Sequence, residues 1–425
     1  MHPSTETACG ITAEGNRPVW DVQVFHPFLE CQAVVFGRVA ARSHAFASTS
    51  ASGGAPVVIG SAAGPTAQAV IPRARGELVE RVSNILAGRA AESGGGVIAT
   101  FEELRRAGTA AVDPAIWLEL NAATELRQAR MLWVVGESLT TQQEILVPAS
   151  SVFLHHRPPE GCSEMLRAGS AGVSAHVSWQ AAVRHALLEV LERDLVYRSW
   201  YQTDRTDTHA LALRQPSLSP TLRQTLDELR LEPTVLVLPG PANTACVVVC
   251  LHTAERGQQS FGARCVVVAD DSSLSQGIET ATYEALMVRW SMGTSVARRA
   301  WRDLCYASPR VLPRGPLEHA LLAFHRQDSL GYWLAKVTAG DGWACPLTGE
   351  AGGTADWRLL ARLLAEHTGE DVVVVSTTTP ELRADGVTVV RVVVPGAYRL
   401  PADERCAPLP CQPDGRRPPP PHPFG

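Results

Sequence analysis

The stretch "ALLEVLERD" (residues 186–194) sets two glutamates, Glu189 and Glu192, three apart in a run of leucine, valine and alanine. Residues i and i+3 share one face of a helix, so the two carboxylates stand side by side. The same pattern, A-x-x-E-x-x-E-R, recurs in "ARGELVER" (74–81) with Glu77, Glu80 and Arg81, and Arg193 closes the later copy. A third stretch, "ATYEALMVR" (281–289), keeps the alanine and Glu284 but has Met287 where a second glutamate would stand. The alanine one turn before each glutamate leaves room for another backbone. Like charges this close repel, the more so out of water, and call for cations or shared protons. Two such pairs on separate helices make a nest for a hard divalent ion such as Mg2+, which takes oxygen ligands and bridges carboxylates to phosphates. Arg81 and Arg193 can meet phosphate oxygens by paired hydrogen bonds. Two other readings stay open at this level. E-x-x-E-R also occurs on solvated helix faces, where it has no role, and His185 with Glu189 and Glu192 would suit a transition metal.

The bulk composition narrows the classes. With 425 residues and 45% hydrophobic content the chain can bury a sizeable core, as two or three domains or one large one. A net charge of −5 and the lack of any basic stripe speak against nucleic acid and anionic membrane as partners. The start, "MHPSTETACGITAEG", lacks the basic and apolar regions of a secretory signal. No apolar run approaches the roughly 20 residues that span a bilayer, so the expectation is a cytoplasmic protein. The ten cysteines are scattered without a CxxC pair, which fits incidental thiols better than zinc or disulfides. Lys336 is the sole lysine, and no GxxxxGK[ST] occurs. A phosphate-cradling P-loop is therefore excluded, and a nucleotide would have to be held another way.

Short β-branched runs at 234–238, 245–251, 265–269, 372–375 and 387–394, bounded by Pro, Gly, Asp or Ser, predict strands. Residues 131–150 predict two strands joined by a polar turn. Helical periodicity covers 66–88, 178–200, 219–230, 276–299, 316–327 and 356–367. The fold class is α/β, as a mixed α+β chain. Residues 43–56, small and polar, predict a loop. Six of the last fifteen residues are proline, a composition that favours an extended, solvated polyproline II segment without a packed core.

"GSAGVSAHVSWQAAVRHALLEVLERDLVYRSW" (169–200) resembles the signature segment of the YcaO family: a Ser/Gly-rich turn, a helix running into Glu-x-x-Glu-Arg-Asp, and a following tryptophan. Four further stretches are similar to family segments in the same order: 63–83, 133–150, 277–289 and 387–400. Together they extend the resemblance over roughly residues 35–400. It implies a YcaO-type fold, with mixed sheets and three acidic helices around a nucleotide site, that binds ATP and Mg2+ without a P-loop and uses ATP to activate a backbone amide. In the azoline-forming branch, a Cys, Ser or Thr side chain of a ribosomal precursor peptide attacks the preceding carbonyl. The oxyanion is phosphorylated, and loss of phosphate completes a thiazoline or oxazoline.

By position, the resemblance makes Glu77, Glu80, Glu189 and Glu192 metal ligands and places Ser170, Gly172, Arg81, Arg193 and Glu284 at the nucleotide. Pro419, Pro421 and Pro423 fit the Pro-x-Pro-x-Pro motif that ends azoline-forming members, which would deliver the Gly425 carboxylate to the reacting amide as a base. The implied division is an N-terminal extension (1–30), a catalytic domain (31–410) and a C-terminal tail (411–425). Implied partners are the precursor peptide, a separate ThiF-like protein that grips its leader and, where azolines are oxidised, a flavin dehydrogenase; a homodimer stays open. Departures from the family pattern are Ala171 for Asn or Thr, His176 for Gly, Ala63 for Lys and Met287 for Gln or Glu. They leave two alternatives standing: another ATP-driven amide activation giving a thioamide or macroamidine, and a non-catalytic scaffold subunit.

Overall fold

The valine-rich runs do form strands, and they assemble with less obvious ones into three sheets. The computed structural model describes residues 19–28, 31–47, 56–117, 123–163, 168–202, 211–213, 216–241, 243–268, 271–307, 312–326, 328–336, 338–339, 356–406 and 419–424. In chain order the strands are β1 (Val19–Phe25), β2 (Val35–Arg42), β3 (Val57–Gly64), β4 (Val97–Ala99), β5 (Met131–Ser138), β6 (Glu144–Pro148), β7 (Val173–His176), β8 (Leu211–Leu213), β9 (Glu232–Pro239), β10 (Thr244–His252), β11 (Ser260–Val267), β12 (Thr338–Ala339), β13 (Val373–Ser376) and β14 (Thr388–Val393). The helices are α1 (Ala67–Ala90), α2 (Phe101–Arg106), α3 (Ala123–Gln128), α4 (Ala149–Val152), α5 (Trp179–Tyr201), α6 (Pro220–Glu228), α7 (Asp271–Met292), α8 (Ser295–Ala307), α9 (Pro316–His325), α10 (Ser329–Leu334), α11 (Trp357–Thr368) and α12 (Pro380–Ala384).

The first sheet has the order β1-β2-β3, the second β4-β5-β13-β14-β7 with β6 on β5, and the third β11-β10-β9-β8-β12. β1, inside the stretch read as an N-terminal extension, pairs along its whole length with β2. The hairpin expected at 131–150 is β5–β6, with its end wound into α4. The single helix expected over 276–299 is two. α7 stops before Gly293, and Thr294 starts α8 by accepting the Ala297 N–H at 3.2 Å. A threonine cap after a glycine is a stop-and-restart signal that apolar periodicity overlooks.

Three helices bridge the sheets in a ring. α1 packs on β3 and also on β7, α5 on β7 and β14 and also on β11, and α7 on β11 and also on β3. Two glycines make the closest of these approaches. A Cβ on Gly60 of β3 would run into the Ala74 carbonyl of α1, and one on Gly262 of β11 into the Ala281 carbonyl of α7. Ala74 and Ala281 are the alanines of the A-x-x-E pattern, so strand glycine and helix alanine together let backbone meet backbone. Gly262→Ala should therefore cost about 1–3 kcal/mol by overpacking. A lowered denaturation midpoint would show it, and an unchanged one would mean that α7 and β11 pack more loosely than this.

The largest core cluster surrounds α5, with Leu187, Leu191, Trp200, Leu236, Val248 and Val392 among its members. Phe424 belongs to it too. The solvated tail that composition suggests is thus corrected: His422 is 3% and Phe424 5% exposed, and an aromatic ring in the core outweighs what the prolines prefer. Among the described residues no helix is long and apolar enough to cross a membrane. Cys31, Cys162, Cys246, Cys250, Cys265 and Cys305 are free thiols.

Candidate nucleotide and metal site

The ring of helices brings Glu77, Glu80, Glu189, Glu192 and Glu284 together, and each is hung from a strand by one oxygen. Glu77 accepts the Ser61 N–H at 2.6 Å, Glu80 that of Ala175 at 2.9 Å and Glu189 that of Gly172 at 3.0 Å. Glu192 accepts the Cys265 N–H at 3.0 Å and Glu284 that of Ala263 at 3.2 Å. The pattern is regular. The first glutamate of each helix binds the strand or turn that its own helix follows: β3 for Glu77, the turn into β7 for Glu189, β11 for Glu284. The second binds the next one round the ring: β7 for Glu80, β11 for Glu192. Met287 occupies the third such place, facing the first sheet, and packs against the apolar cluster that holds Phe36 and Ala63. Two departures from the family pattern, Ala63 and Met287, thus meet in one cluster as matched apolar residues.

The charges feel one another. Burial, with the charges of Glu189 and Glu77, pushes Glu80 up to about 8 against the pull of the Ala175 amide and Arg81. Burial and Glu192 push Glu284 up to about 7, against Arg193. Glu189 is raised by burial and by Glu192, with Arg193 opposing. Burial works against the Arg193 charge, but Glu192, Glu284 and Glu189 outweigh it and hold the guanidinium above its ordinary pKa. Arg193 lies 3.6 Å from Glu192, and Arg81 pairs with Glu77 at 2.5 Å and also donates to the Ile59 carbonyl. Among the described residues no donor reaches the second oxygen of Glu80, Glu189 or Glu284.

This donor set fits a hard cation. It is all oxygen, it is held rigidly by backbone amides, and it strains against its own charge without a counterion. No three of these carboxylates bring their oxygens within 4.8 Å of one another among the described residues. That spread suits ions that complete their shells with phosphate oxygens better than one all-protein cage. His185, Glu189 and Glu192 do not converge either, which removes the transition-metal reading. His185 instead lies edge-on to His176, 5.7 Å between ring centroids.

The turn before β7 is built from the back. Gly172 has φ +86, and a Cβ there would sit 2.7 Å from the Val392 carbonyl oxygen, so only glycine fits. Val392 N–H donates to the Gly172 carbonyl at 2.8 Å. Ser170 is exposed in the same turn, and its carbonyl accepts the Val173 N–H at 3.2 Å. Arg391, 3% exposed on β14, donates to the Gly169 carbonyl at 2.7 Å. Burial, with Arg399 nearby, lowers Arg391 to about 9.

Arg391, Arg73 and Arg264 are site residues that sequence reasoning did not single out. Arg73 donates to the Ala63 carbonyl at 3.1 Å, and its charge and that of Arg264 both act on Glu284 or are acted on by it. Arg73 thereby brings a cation to the position where part of the family has lysine. Its place four residues before Glu77, one helical turn up the same face, was the available signal.

The described tail residues, 419–424, pack on elements that carry this cluster. Trp200 Nε1 donates to the Pro420 carbonyl at 2.7 Å. The Phe424 ring lies 6.0 Å from Phe261 and 6.1 Å from Trp333. Phe261 is on β11, two residues before the Ala263 that holds Glu284, and the Arg193 charge reaches His422. Pro419 and Pro421 are half-buried and Pro423 is buried; Gly425 lies outside the described residues.

Comparison with known proteins gives the same answer. Residues 47–398 match the family model of the YcaO cyclodehydratases, described as ATP- and Mg2+-binding. Over 77 residues the chain is 38% identical to an uncharacterised protein of Methanothermobacter thermautotrophicus, a match that takes in 18% of this chain and 20% of that relative. The fold is similar to YcaO from Methanopyrus kandleri bound with AMPPCP and Mg2+, with 21% identity, a TM-score of 0.57 and coverage of 91% of this chain and 88% of that one. It is also similar to a heterocyclase in complex with substrate and cofactor, with 18% identity and a TM-score of 0.63; 89% of this chain is covered but only 50% of that one. The E. coli microcin synthetase McbBCD complex aligns at 15% identity and a TM-score of 0.57, over 90% of this chain and 89% of that one. The family's cofactors, ATP and Mg2+, are those to which the acidic pairs and the missing P-loop pointed. The chain belongs to the YcaO cyclodehydratase family.

Proposed function

We propose that this protein uses ATP and Mg2+ to convert Cys, Ser or Thr residues of a ribosomal precursor peptide into thiazolines or oxazolines. The observation that carries the reading is the set of carboxylate oxygens on Glu80, Glu189 and Glu284 that no donor among the described residues reaches, beside Arg193. Glu77, Glu80, Glu189 and Glu192 hold the metal, and Ser170, Gly172, Arg81, Arg193 and Glu284 bound the nucleotide. When bound, Mg2+ neutralises charge on the transferred phosphoryl group. Arg193 orients phosphate oxygens, Arg81 fixes the Glu77 carboxylate with which it pairs while facing the same phosphates, and the strand amides hold Glu80, Glu189, Glu192 and Glu284 in place. The substrate side chain attacks the preceding carbonyl carbon, and its proton passes to a base carried by the tail. The amide oxygen takes the γ-phosphoryl group, with ADP as coproduct, and leaves as phosphate while the amide nitrogen gives up its proton and the C=N bond of the ring forms. The oxygen lost from the peptide ends in phosphate, so each ring costs the peptide one water.

The tail argues for azolines over thioamide or macroamidine products, because its Pro419-Pro421-Pro423 spacing matches the azoline-forming branch and Phe424 packs near Phe261 on β11, the strand that holds Glu192 and Glu284. The scaffold alternative drew on Ala171 and Met287; apolar packing in the cluster with Ala63 accounts for Met287, and nothing in the structure explains Ala171. A separate leader-binding protein of the ThiF-like kind would present the precursor. With that partner, ATP and a Cys/Ser/Thr-rich precursor, mass spectrometry should find one water lost and one phosphate released per ring; loss of water without ATP would refute the reading.

Metal binding should depend on pH with a definite sign. Glu80 at about 8 and Glu284 at about 7 stand above their unfolded values, so the metal-free folded protein holds protons that the unfolded chain has released. Its stability therefore falls as pH rises from the ordinary carboxylate range towards 8. Mg2+ displaces those protons, so the rise in melting temperature that Mg2+ produces should grow from pH 6 to about 8 and then level off. A pH-independent Mg2+ shift would count against these two groups.

A further inference from the structure

The last residues are held by a knot of buried polar groups outside the carboxylate cluster. Glu404 is 5%, His422 3%, Tyr201 1% and His319 0% exposed. They come from the turn after the second sheet, the tail, the end of α5, and α9. Glu404, His319 and His422 place ligand atoms within 4.8 Å of one another, which invites a metal ion. The rings argue against it. His319 and His422 lie face to face, 3.9 Å between centroids and 11° between planes. Imidazole lone pairs lie in the ring plane, so two stacked parallel rings cannot both aim at one ion.

Three of their four ring nitrogens are also in use; His319 Nε2 is buried without a partner among the described residues. His422 Nε2 donates to the Pro401 carbonyl at 2.9 Å, which leaves Nδ1 to accept the Phe424 N–H at 3.3 Å. His319 Nδ1 donates to the His422 carbonyl at 2.9 Å. Glu404 Oε1 accepts the His422 N–H at 3.2 Å and the Tyr201 hydroxyl at 2.5 Å. Both backbone groups of His422 are therefore gripped, one by Glu404 and one by His319, while its side chain is tied to Pro401. A polyproline segment has few N–H groups of its own and can slide along its axis. His422 supplies the only N–H between Pro418 and Pro423, and that N–H is the one held.

We propose that Glu404, Tyr201 and His319 are positioning residues: a clasp on His422 that fixes the register of the C-terminal tail against the active site. The proposal rests on the tail's part in azoline formation. Tyr201 links the two ends of the arrangement, since α5 also carries Glu189, Glu192 and Arg193. The helix that presents the carboxylates thus also sets where the tail stops.

The test is Glu404→Ala against Glu404→Gln in the full-length protein, with Tyr201→Phe as a milder second variant. Glutamine keeps an acceptor for both donors; alanine removes it and leaves the His422 N–H and Tyr201 hydroxyl buried without a partner. Glu404→Ala should speed hydrogen exchange at the His422 and Phe424 amides at least about tenfold, with Glu404→Gln near wild type and Tyr201→Phe between them. With precursor and partner present, Glu404→Ala should lower kcat for cyclodehydration at least about tenfold while KM for ATP stays within about twofold, because the carboxylate cluster is untouched. Unchanged tail exchange in Glu404→Ala would overturn the clasp. Tail exchange that rises while kcat holds would keep the clasp and overturn the tail's catalytic role instead. Tail protection that appears only on adding Zn2+ would replace the clasp by a metal site.

Discussion

Glu189→Gln should reduce ATP turnover about a thousandfold, equivalent to some 4 kcal/mol of lost transition-state stabilisation, while leaving the fold intact. Glutamine keeps an oxygen to accept the Gly172 N–H, so the turn from Ser170 to Val173 stays where it is. What is lost is a negative charge whose place is fixed next to Glu192 and Arg193. Alanine at the same position would remove the anchor as well and confuse the two effects. In metal-free protein at pH 9, the variant should melt higher than wild type, because Glu189 stands above its ordinary pKa and its charged form is the strained one. Lower activity with equal or greater stability is the mark of a ligand kept for function at a cost to the fold. A variant that turned over ATP at the wild-type rate would remove Glu189 from the site.

The carboxylate pairs were legible because their geometry is local. Glu77 with Glu80 and Glu189 with Glu192 face the same way by helical spacing alone, whatever the rest of the chain does. The amides that hold them were not legible. Nothing about Ser61, Ala175 or Cys265 marks it as a carboxylate donor; the role comes from a strand passing a helix far away in sequence. The first sheet was missed for a related reason. β2 and β3 are rich in glycine and alanine, "VFGRVAAR" and "VVIGSAAG", because α1 and its neighbours press close against them. Small residues needed for packing erase the β-branched signal by which strands are read. Met287 and Ala63 looked like separate defects in sequence, and only three dimensions show them sharing an apolar cluster. In the tail, proline content was read as solvation, whereas the deciding residues were the two between and after the prolines, His422 and Phe424.

That burial changes how the tail has to be tested, and here the second large effect is expected. Trimming the chain at Pro418 would remove Phe424 from the core cluster as well as the end of the chain. Truncating a buried phenylalanine costs about 3–5 kcal/mol, so lost activity after trimming would not separate chemistry from folding. Lengthening avoids this. Two glycines added after Gly425 leave His422, Phe424 and the clasp in place but carry the terminal carboxylate as much as about 7 Å further on. If that carboxylate takes the proton from the attacking side chain, displacement on this scale should lower cyclodehydration at least about a hundredfold. The melting temperature and the affinity for Mg-ATP should not move, since neither depends on the terminus. Cyclodehydration that survived the extension would take the base away from Gly425 and assign proton transfer to the substrate-facing side of the cleft. ATP affinity that fell with it would show instead that the extension had blocked the nucleotide.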